Sequence, residues 1–361
     1  MGLKSTKPII LGIDTSCDET SAGVTHGDAV LSNVISSQID LHKIWGGVVP
    51  DIARRAHQER IDEVIEKSLI LASRNFKKKI NLENVDAVAV TYGPGLAIAL
   101  EVGIEKAKEI SKKYNKPLIA VNHLEGHLLS AMAKDSLGEK GLTLSKRDFP
   151  ALGLIISGKH TEIVLVRNIG DYEVVGETLD DAIGEAYDKV GRMLELGYPA
   201  GPIVTKFAKL GDSSRFSLPI PMRNKKDSLD FSFSGLKTAV YYMIKKDLGD
   251  MSKQDVYDMC ASFENSAILH LQDKLELAIN KYNPKLILVG GGVASSPKVR
   301  TSIRKTTHNF GLKAYFPNSN KLYMDNGAMI GLVASNKYVN KDFVANLIDL
   351  EREPRASLNK P

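Results

Sequence analysis

The chain has 361 residues, 43% of them hydrophobic and 25% charged, an ordinary globular composition spread over more length than one core usually supports, so two domains are expected. Its two cysteines, Cys17 and Cys260, are too few for a disulfide framework or a cysteine-based zinc site, and they point to a reducing, cytoplasmic compartment. The net charge of +5 lies in short runs such as Lys77-Lys78-Lys79, Lys112-Lys113 and Arg223-Asn224-Lys225-Lys226, which read as solvated surface, with a weak phosphate-backbone footprint as the lesser alternative.

From the N-terminus, residues 1–7 are polar and the apolar run after them is too short for a signal core. No later stretch approaches the roughly 18 apolar residues of a membrane span, so no membrane partner is expected. Residues 9–13 read as a buried strand running into the polar turn Asp14-Thr15-Ser16, followed by strands over 21–25 and 29–36 about a Gly27-Asp28 turn. Helical spacing of apolar residues predicts a helix over 51–73, then strands over 85–90 and 117–121. The opening pattern recurs as strands over 151–156, 161–166 and 172–176, then a long helix over 256–279 and a strand over 286–289 that opens into Gly290-Gly291-Gly292. Two similar meanders imply an internal duplication. The chain is therefore read as α/β, with a mostly parallel sheet in each of two lobes and a nucleotide-binding cleft between them. The N-terminal lobe is placed at 1–148 and the C-terminal lobe at 149–325, with a last helix over 326–361 packing back on the first lobe.

The sharpest chemical motif is His123-Leu124-Glu125-Gly126-His127. Two histidines four apart share one helix face and could bind one metal, or could be surface or capping residues. Metalloprotease chemistry is disfavoured, because Glu125 falls about 200° round the helix from His123, whereas that motif needs the glutamate directly after the first histidine. Asp325, in Tyr323-Met324-Asp325-Asn326-Gly327, is the leading third ligand, with a helix N-cap as its other reading.

Ser157-Gly158-Lys159-His160-Thr161 joins two strands and reads as a hairpin turn or as a backbone cradle for phosphate. Residues 290–296 form a similar strand-to-helix turn. Asp181, Glu185 and Asp188 fall on one helical face, either as a solvated acidic stripe or as contacts to hydroxyls, with Asp188 the first choice for a sugar. Cys17-Asp18-Glu19-Thr20 places an exposed acid pair between the first two strands, where it is a polar turn or a base. Phe231-Ser232-Phe233-Ser234-Gly235-Leu236-Lys237 has no simple periodicity and is hard to explain by folding alone.

Together these segments resemble the universal tRNA threonylcarbamoyladenosine synthesis family in its bacterial and organellar form. The resemblance runs from Gly12-Ile13-Asp14-Thr15-Ser16-Cys17-Asp18-Glu19-Thr20 to Asp325-Asn326-Gly327-Ala328-Met329-Ile330. Between them it takes in Gly46-Gly47-Val48-Val49-Pro50, Gly93-Pro94-Gly95-Leu96, the two-histidine motif, the 180–189 and 230–239 segments and Tyr198-Pro199-Ala200-Gly201-Pro202. It implies a two-lobed actin/hexokinase-like fold with duplicated lobes. It also implies transfer of a threonylcarbamoyl group from threonylcarbamoyl-AMP to the exocyclic amine of the adenosine beside the anticodon, in tRNAs reading codons that start with A.

By the same resemblance, His123, His127 and Asp325 hold one divalent ion per subunit, iron or zinc. Ser157, Gly158, Lys159, His160 and Thr161 contact the adenylate. Asp188 and Gly201 lie near its ribose, Ser296 lies near its adenine, Thr205 is a further substrate-binding position, and Asp18 or Glu19 accepts the amine proton. Implied partners are tRNA and either a smaller inactive paralogue with a P-loop ATPase or a second copy of the chain. The chain departs from the family pattern at Lys159 and Ala200, where glycine is usual, at Ser296 for asparagine, at Thr205 for an acid and at Asp51 for glutamate. A sugar or small-molecule kinase, a binding-only module and a glycoprotease are the competing readings.

Overall fold

The computed structural model describes residues 7–225, 227–245 and 251–359. Lys226 of the third basic run and residues 360–361 of the expected last helix lie outside the described residues. The described chain divides into two compact units, one of residues 7–144 and 316–358, the other of residues 145–315 and 359.

The first unit opens with β1 (Ile9–Asp14), β2 (Glu19–His26) and β3 (Ala29–Ser37), then α1 (Ile39–His42) and α2 (Pro50–Phe76). β4 (Ala87–Gly93), α3 (Ala97–Tyr114), β5 (Leu118–Asn122) and α4 (His123–Leu129) follow. The second unit holds β6 (Ala151–Ile156), β7 (Thr161–Asn168), β8 (Asp171–Glu177), α5 (Ile183–Met193), α6 (Gly201–Ala208), α7 (Ser234–Met243), α8 (Lys253–Tyr282), β9 (Ile287–Gly290), α9 (Pro297–Asn309) and β10 (Ala314–Tyr315). α10 (Gly327–Val339) returns to the first unit. The helix expected over 326–361 ends at Val339, beyond which the chain is irregular apart from one short turn of 3-10 helix.

The first sheet has the order β3-β2-β1-β4-β5 and the second β10-β9-β6-β7-β8. In each, the meander contributes two antiparallel pairings and the later strands two parallel ones. Read from opposite edges the two orders coincide, so both units carry the duplicated meander. The sheets are mixed rather than mostly parallel, because a hairpin connection forces its strands to run antiparallel.

β1 is central and buried on both faces, which is why it reads as a continuous apolar run. Leu11 and Ile13 point to one face and pack with Ile61, Val64 and Ile65 of α2 and Ile104 of α3. Gly12 points to the other, where α10 lies. A Cβ at Gly12 would stand 2.2 Å from the Gly327 carbonyl oxygen, and one at Gly23, its partner on β2, would stand 2.4 Å from the Ala328 nitrogen. Two glycines side by side across β1 and β2 make the flat spot on which the start of α10 rests.

Candidate functional site

In the first unit three elements meet at the end of β1. β5 runs into α4, whose N-cap is Asn122: its side chain accepts a hydrogen bond from the Leu124 amide at 2.8 Å. That cap puts His123 on the first turn and His127 one turn later, both buried. Their rings meet edge to face at 4.7 Å. α10 delivers Asp325 just ahead of its own N-cap. The cap is Asn326, which accepts from the Met329 amide at 3.0 Å, so Asp325 does not cap this helix.

Asp325 Oδ1 lies 3.3 Å from His123 Nε2 and 3.1 Å from His127 Nε2, and the three donor atoms all fall within 4.8 Å of one another. Ligands about 2.0–2.2 Å from a tetrahedral ion stand about 3.3–3.6 Å apart, so the two distances to Asp325 are close to that spacing, and the group of two imidazoles and one carboxylate could hold a metal ion. Glu125 is buried and contributes no atom to this group. Asp14, from the end of β1, places Oδ2 3.3 Å from His123 Nδ1, on the far side of the ring.

The local charge favours a cation. Burial works against a charged His123, but the Asp325 and Asp14 carboxylates outweigh it and push the imidazole up to about 10. Burial also opposes ionisation of Asp325, yet His123 and His127 hold it well below the ordinary carboxylate range. Glu19 goes the other way. Burial first, then the neighbouring Asp18, Asp325 and Asp14 carboxylates, raise it well above that range. The acid pair expected to be exposed is in fact recessed: Glu19 is the first residue of β2 and buried, and Asp18 is half-buried.

The second unit brings its own group together. The Ser157 carbonyl accepts from the Gly184 amide at 3.2 Å, and Thr161 Oγ1 accepts from the Ile183 amide at 2.9 Å, so the start of α5 sits on the β6–β7 loop. Inside that loop Ser157 Oγ accepts from the amides of Lys159 and His160, while a Cβ at Gly158 would meet nothing within 4 Å. Gly291, after β9, has φ +93 and packs against the Ile156 carbonyl, which sets the turn ending in Ser296 beside the same loop. Ser296 Oγ is buried without a hydrogen-bond partner. Asp188 Oδ1 accepts from the amides of Ala200 and Gly201, both at 2.8 Å, and so anchors the start of α6. Thr205, one turn into α6, faces the buried Glu264 carboxylate.

Asp181 is not on a helical face with Glu185 and Asp188, since α5 begins at Ile183. Instead Asp181 is buried and accepts from Lys189 at 2.6 Å and Lys237 at 2.5 Å. The 231–237 segment does have a folding explanation. Phe231 and Phe233 stack in the core against His270, while Asp180 accepts from the Phe233 and Ser234 amides at the start of α7. Sequence reasoning missed Asp14 as a partner of His123, although its position at the end of a buried strand was visible.

Comparison with known proteins identifies the family. The family model for tRNA N6-adenosine threonylcarbamoyltransferase matches residues 29–332. A protein of that name from Dictyoglomus turgidum is 44% identical over 332 residues, covering 91% of this chain and 93% of its own. One from Persephonella marina is 41% identical, covering 91% of this chain and 90% of its own. Among solved structures, HypF from T. kodakarensis superposes with a TM-score of 0.58 at 12% identity, over 93% of this chain but only 48% of that one. The activator of 2-hydroxyisocaproyl-CoA dehydratase from Clostridium difficile superposes at 0.52 and 13% identity, over 94% of this chain and 98% of that one. These two likenesses show the fold alone, the actin/hexokinase-like α/β class with duplicated lobes.

Proposed function

This chain belongs to the tRNA N6-adenosine threonylcarbamoyltransferase family, and we propose that it works as the transferase itself rather than as a binding-only relative. The observation that carries this reading is the convergence of His123, His127 and Asp325 on one point, which a sugar kinase or a binding module would not need. His123, His127 and Asp325 would hold one iron or zinc ion, whose contribution when bound is Lewis-acid polarisation of the carbamoyl carbonyl.

The remaining work falls to side chains and backbone. The exocyclic amine of the adenosine beside the anticodon attacks the carbamoyl carbon of threonylcarbamoyl-AMP. A carbon–nitrogen bond forms, the bond from that carbon to the phosphate oxygen breaks, and AMP leaves with the electron pair. Asp18 or Glu19 takes the amine proton. Ser157, Gly158, Lys159, His160 and Thr161 hold the adenylate through backbone and side-chain contacts, Asp188 and Gly201 sit by its ribose, Ser296 meets the adenine, and Thr205 is a further substrate-binding position. Lys159 adds a cation to a loop that binds phosphate, and Ser296 offers adenine a shorter hydrogen-bonding group than asparagine would.

The setting follows from the chemistry. No described helix is long and apolar enough to cross a membrane, and a tRNA substrate suits the cytoplasm. The partners we assign are tRNA and either a smaller inactive paralogue with a P-loop ATPase or a second copy of this chain.

Supplying threonylcarbamoyl-AMP and unmodified tRNA, with and without these helpers, and assaying the nucleosides of the digested tRNA tests the reading. Modified adenosine should form with the wild-type chain and drop by at least about a hundredfold in the double variant His123→Ala, His127→Ala. A double variant as active as wild type would remove the proposed metal from the reaction.

A further inference from the structure

His57 lies on α2, fully buried, and takes no part in the group described above. Its Nε2 stands 3.0 Å from the Cys17 carbonyl oxygen, and its Nδ1 stands 2.8 Å from Thr20 Oγ1. A carbonyl oxygen can only accept, so Nε2 carries the hydrogen, and the bare Nδ1 accepts from the Thr20 hydroxyl. The tautomer is set by its partners. Burial keeps the ring neutral, pushing its pKa below the ordinary histidine value, as this arrangement requires.

The two atoms that His57 grips bracket Asp18 and Glu19. Further bonds hold the same turn from its other side. The Gln38 amide donates to the Asp18 carbonyl at 2.9 Å. The Gln38 side chain donates to the Ala53 carbonyl at 3.4 Å and accepts from His42 Nε2 at 3.2 Å. The Val49 amide donates to His42 Nδ1 at 3.3 Å, which fixes that ring's tautomer by the same logic. Gln38, His42 and His57 are all buried. An apolar side chain would fill the His57 volume without the cost of burying two ring nitrogens, a cost offset only by the two bonds it makes to the turn. Glu19 in turn stands among Asp14, Asp18 and Asp325.

We propose that His57 is a positioning residue for the transfer reaction: by bridging the Cys17 carbonyl and the Thr20 hydroxyl, it sets where Asp18 and Glu19 present their carboxylates to the His123, His127 and Asp325 cluster. This rests on the function proposed above. α2 is 27 residues long and packed along the sheet, so it is a rigid base for such a clamp.

Three variants separate positioning from simple packing. His57→Gln keeps one donor and one acceptor, His57→Leu keeps neither, and Thr20→Val removes only the hydroxyl end. His57→Leu and Thr20→Val should lower kcat by about tenfold or more while KM for tRNA stays within about twofold, and His57→Gln should recover kcat to within about threefold of wild type. Zinc affinity, measured by competition with a chelator, should stay within about threefold in all of them, since the ligands are elsewhere. Wild-type kcat in both His57→Leu and Thr20→Val, or a His57→Gln variant as impaired as His57→Leu at an equal unfolding midpoint, would overturn the proposal. If His57→Leu does not fold, Thr20→Val decides alone.

A second readout needs no activity. Cys17 lies in the clamped turn, so its alkylation by iodoacetamide should quicken by about fivefold or more in His57→Leu and Thr20→Val. Cys260, deeply buried with a thiol pushed up to about 12 by burial and Glu264, is the unreactive internal standard. Equal Cys17 rates in every variant would sink the clamp. Absence of transfer by the wild-type chain, with Cys17 still released in the variants, would instead refute the proposed function and leave the clamp standing.

Discussion

Asp14 Oδ2 sits 3.3 Å from His123 Nδ1, on the side of the imidazole away from Asp325. A carboxylate behind a ligating histidine holds the ring in one orientation, keeps the hydrogen on the far nitrogen and makes the near nitrogen a better donor to a metal. Asp14 is fully buried at the end of a central strand and cannot swing away. Replacing it with asparagine should weaken zinc or iron binding by about 10–100-fold, read by competition with a chelator, while circular dichroism stays that of the wild type. Unchanged metal affinity in Asp14→Asn would mean that His123 needs no support from behind.

The approach of α10 to β1 determines where Asp325 stands. A methyl group at Gly12 would meet the Gly327 carbonyl oxygen at 2.2 Å and the Gly331 nitrogen at 2.5 Å, both backbone atoms. Neither can rotate aside, so in Gly12→Ala the helix must shift and carry Asp325 with it. The expected cost is about 1–3 kcal/mol of stability, together with weaker metal binding, measured by urea unfolding and by metal titration. Gly158→Ala is the contrast. A Cβ there meets nothing within 4 Å, so stability should hold within about 0.5 kcal/mol while the affinity for AMP falls if the adenylate lies on that loop.

Much of the architecture was legible because burial and periodicity coincide. The run Ile9 to Ile13 is apolar at successive positions because β1 lies between two strands with helices on both faces, and the recurrence of that pattern at Ala151 marked the second copy. The meeting of His123, His127 and Asp325 was reachable from the spacing of the two histidines and from the lone acid before an apolar helix. What failed depended on where a helix begins. Asp181 looked like a helical-face acid, but Ala182 is extended and α5 starts one residue later, which turns Asp181 inward to Lys189 and Lys237. Asp325 had an N-cap as its alternative reading, but the cap is the next residue, Asn326, which accepts from the Met329 amide. The link from His57 to Cys17 and Thr20 joins residues about 40 apart, and no local pattern announces it.

Asp180 shows how one exposed acid can organise two segments. It accepts from Ser232 Oγ at 2.5 Å, the Phe233 amide at 2.7 Å and the Ser234 amide at 3.2 Å, the last two at the N-terminus of α7. Asp180→Ala leaves those amides without their acceptor and should cost about 0.5–2 kcal/mol, measured as a lower urea midpoint. Asp180→Asn, which keeps an acceptor oxygen, should recover most of the loss. If both variants lose equally, the negative charge rather than the hydrogen bonds holds α7 in place.

Glu162 makes stability depend on pH in a direction that can be worked out. It is buried on β7 directly opposite Glu177 of β8, with Oε2 lacking a hydrogen-bond partner. Burial first, and then the Glu177 carboxylate, push its carboxyl up to about 7 from an ordinary value near 4.5. Between those two pH values the folded chain keeps a proton that the unfolded chain has released. The stability linked to this group is therefore complete below about pH 4.5, falls as pH rises toward 7, and is flat above that. Holding the proton across that interval corresponds to about 3 kcal/mol. Glu162→Gln keeps the shape and cannot ionise, so it should match wild type near pH 4.5 and exceed it by up to about 3 kcal/mol at pH 8, measured as urea midpoints across the range. The difference between the two proteins cancels the shared titrating groups that do not interact with Glu162; Glu177, directly opposite, does not cancel. A wild type and variant that run parallel from pH 4.5 to 8 would show that the Glu162 carboxyl is not raised in the folded chain.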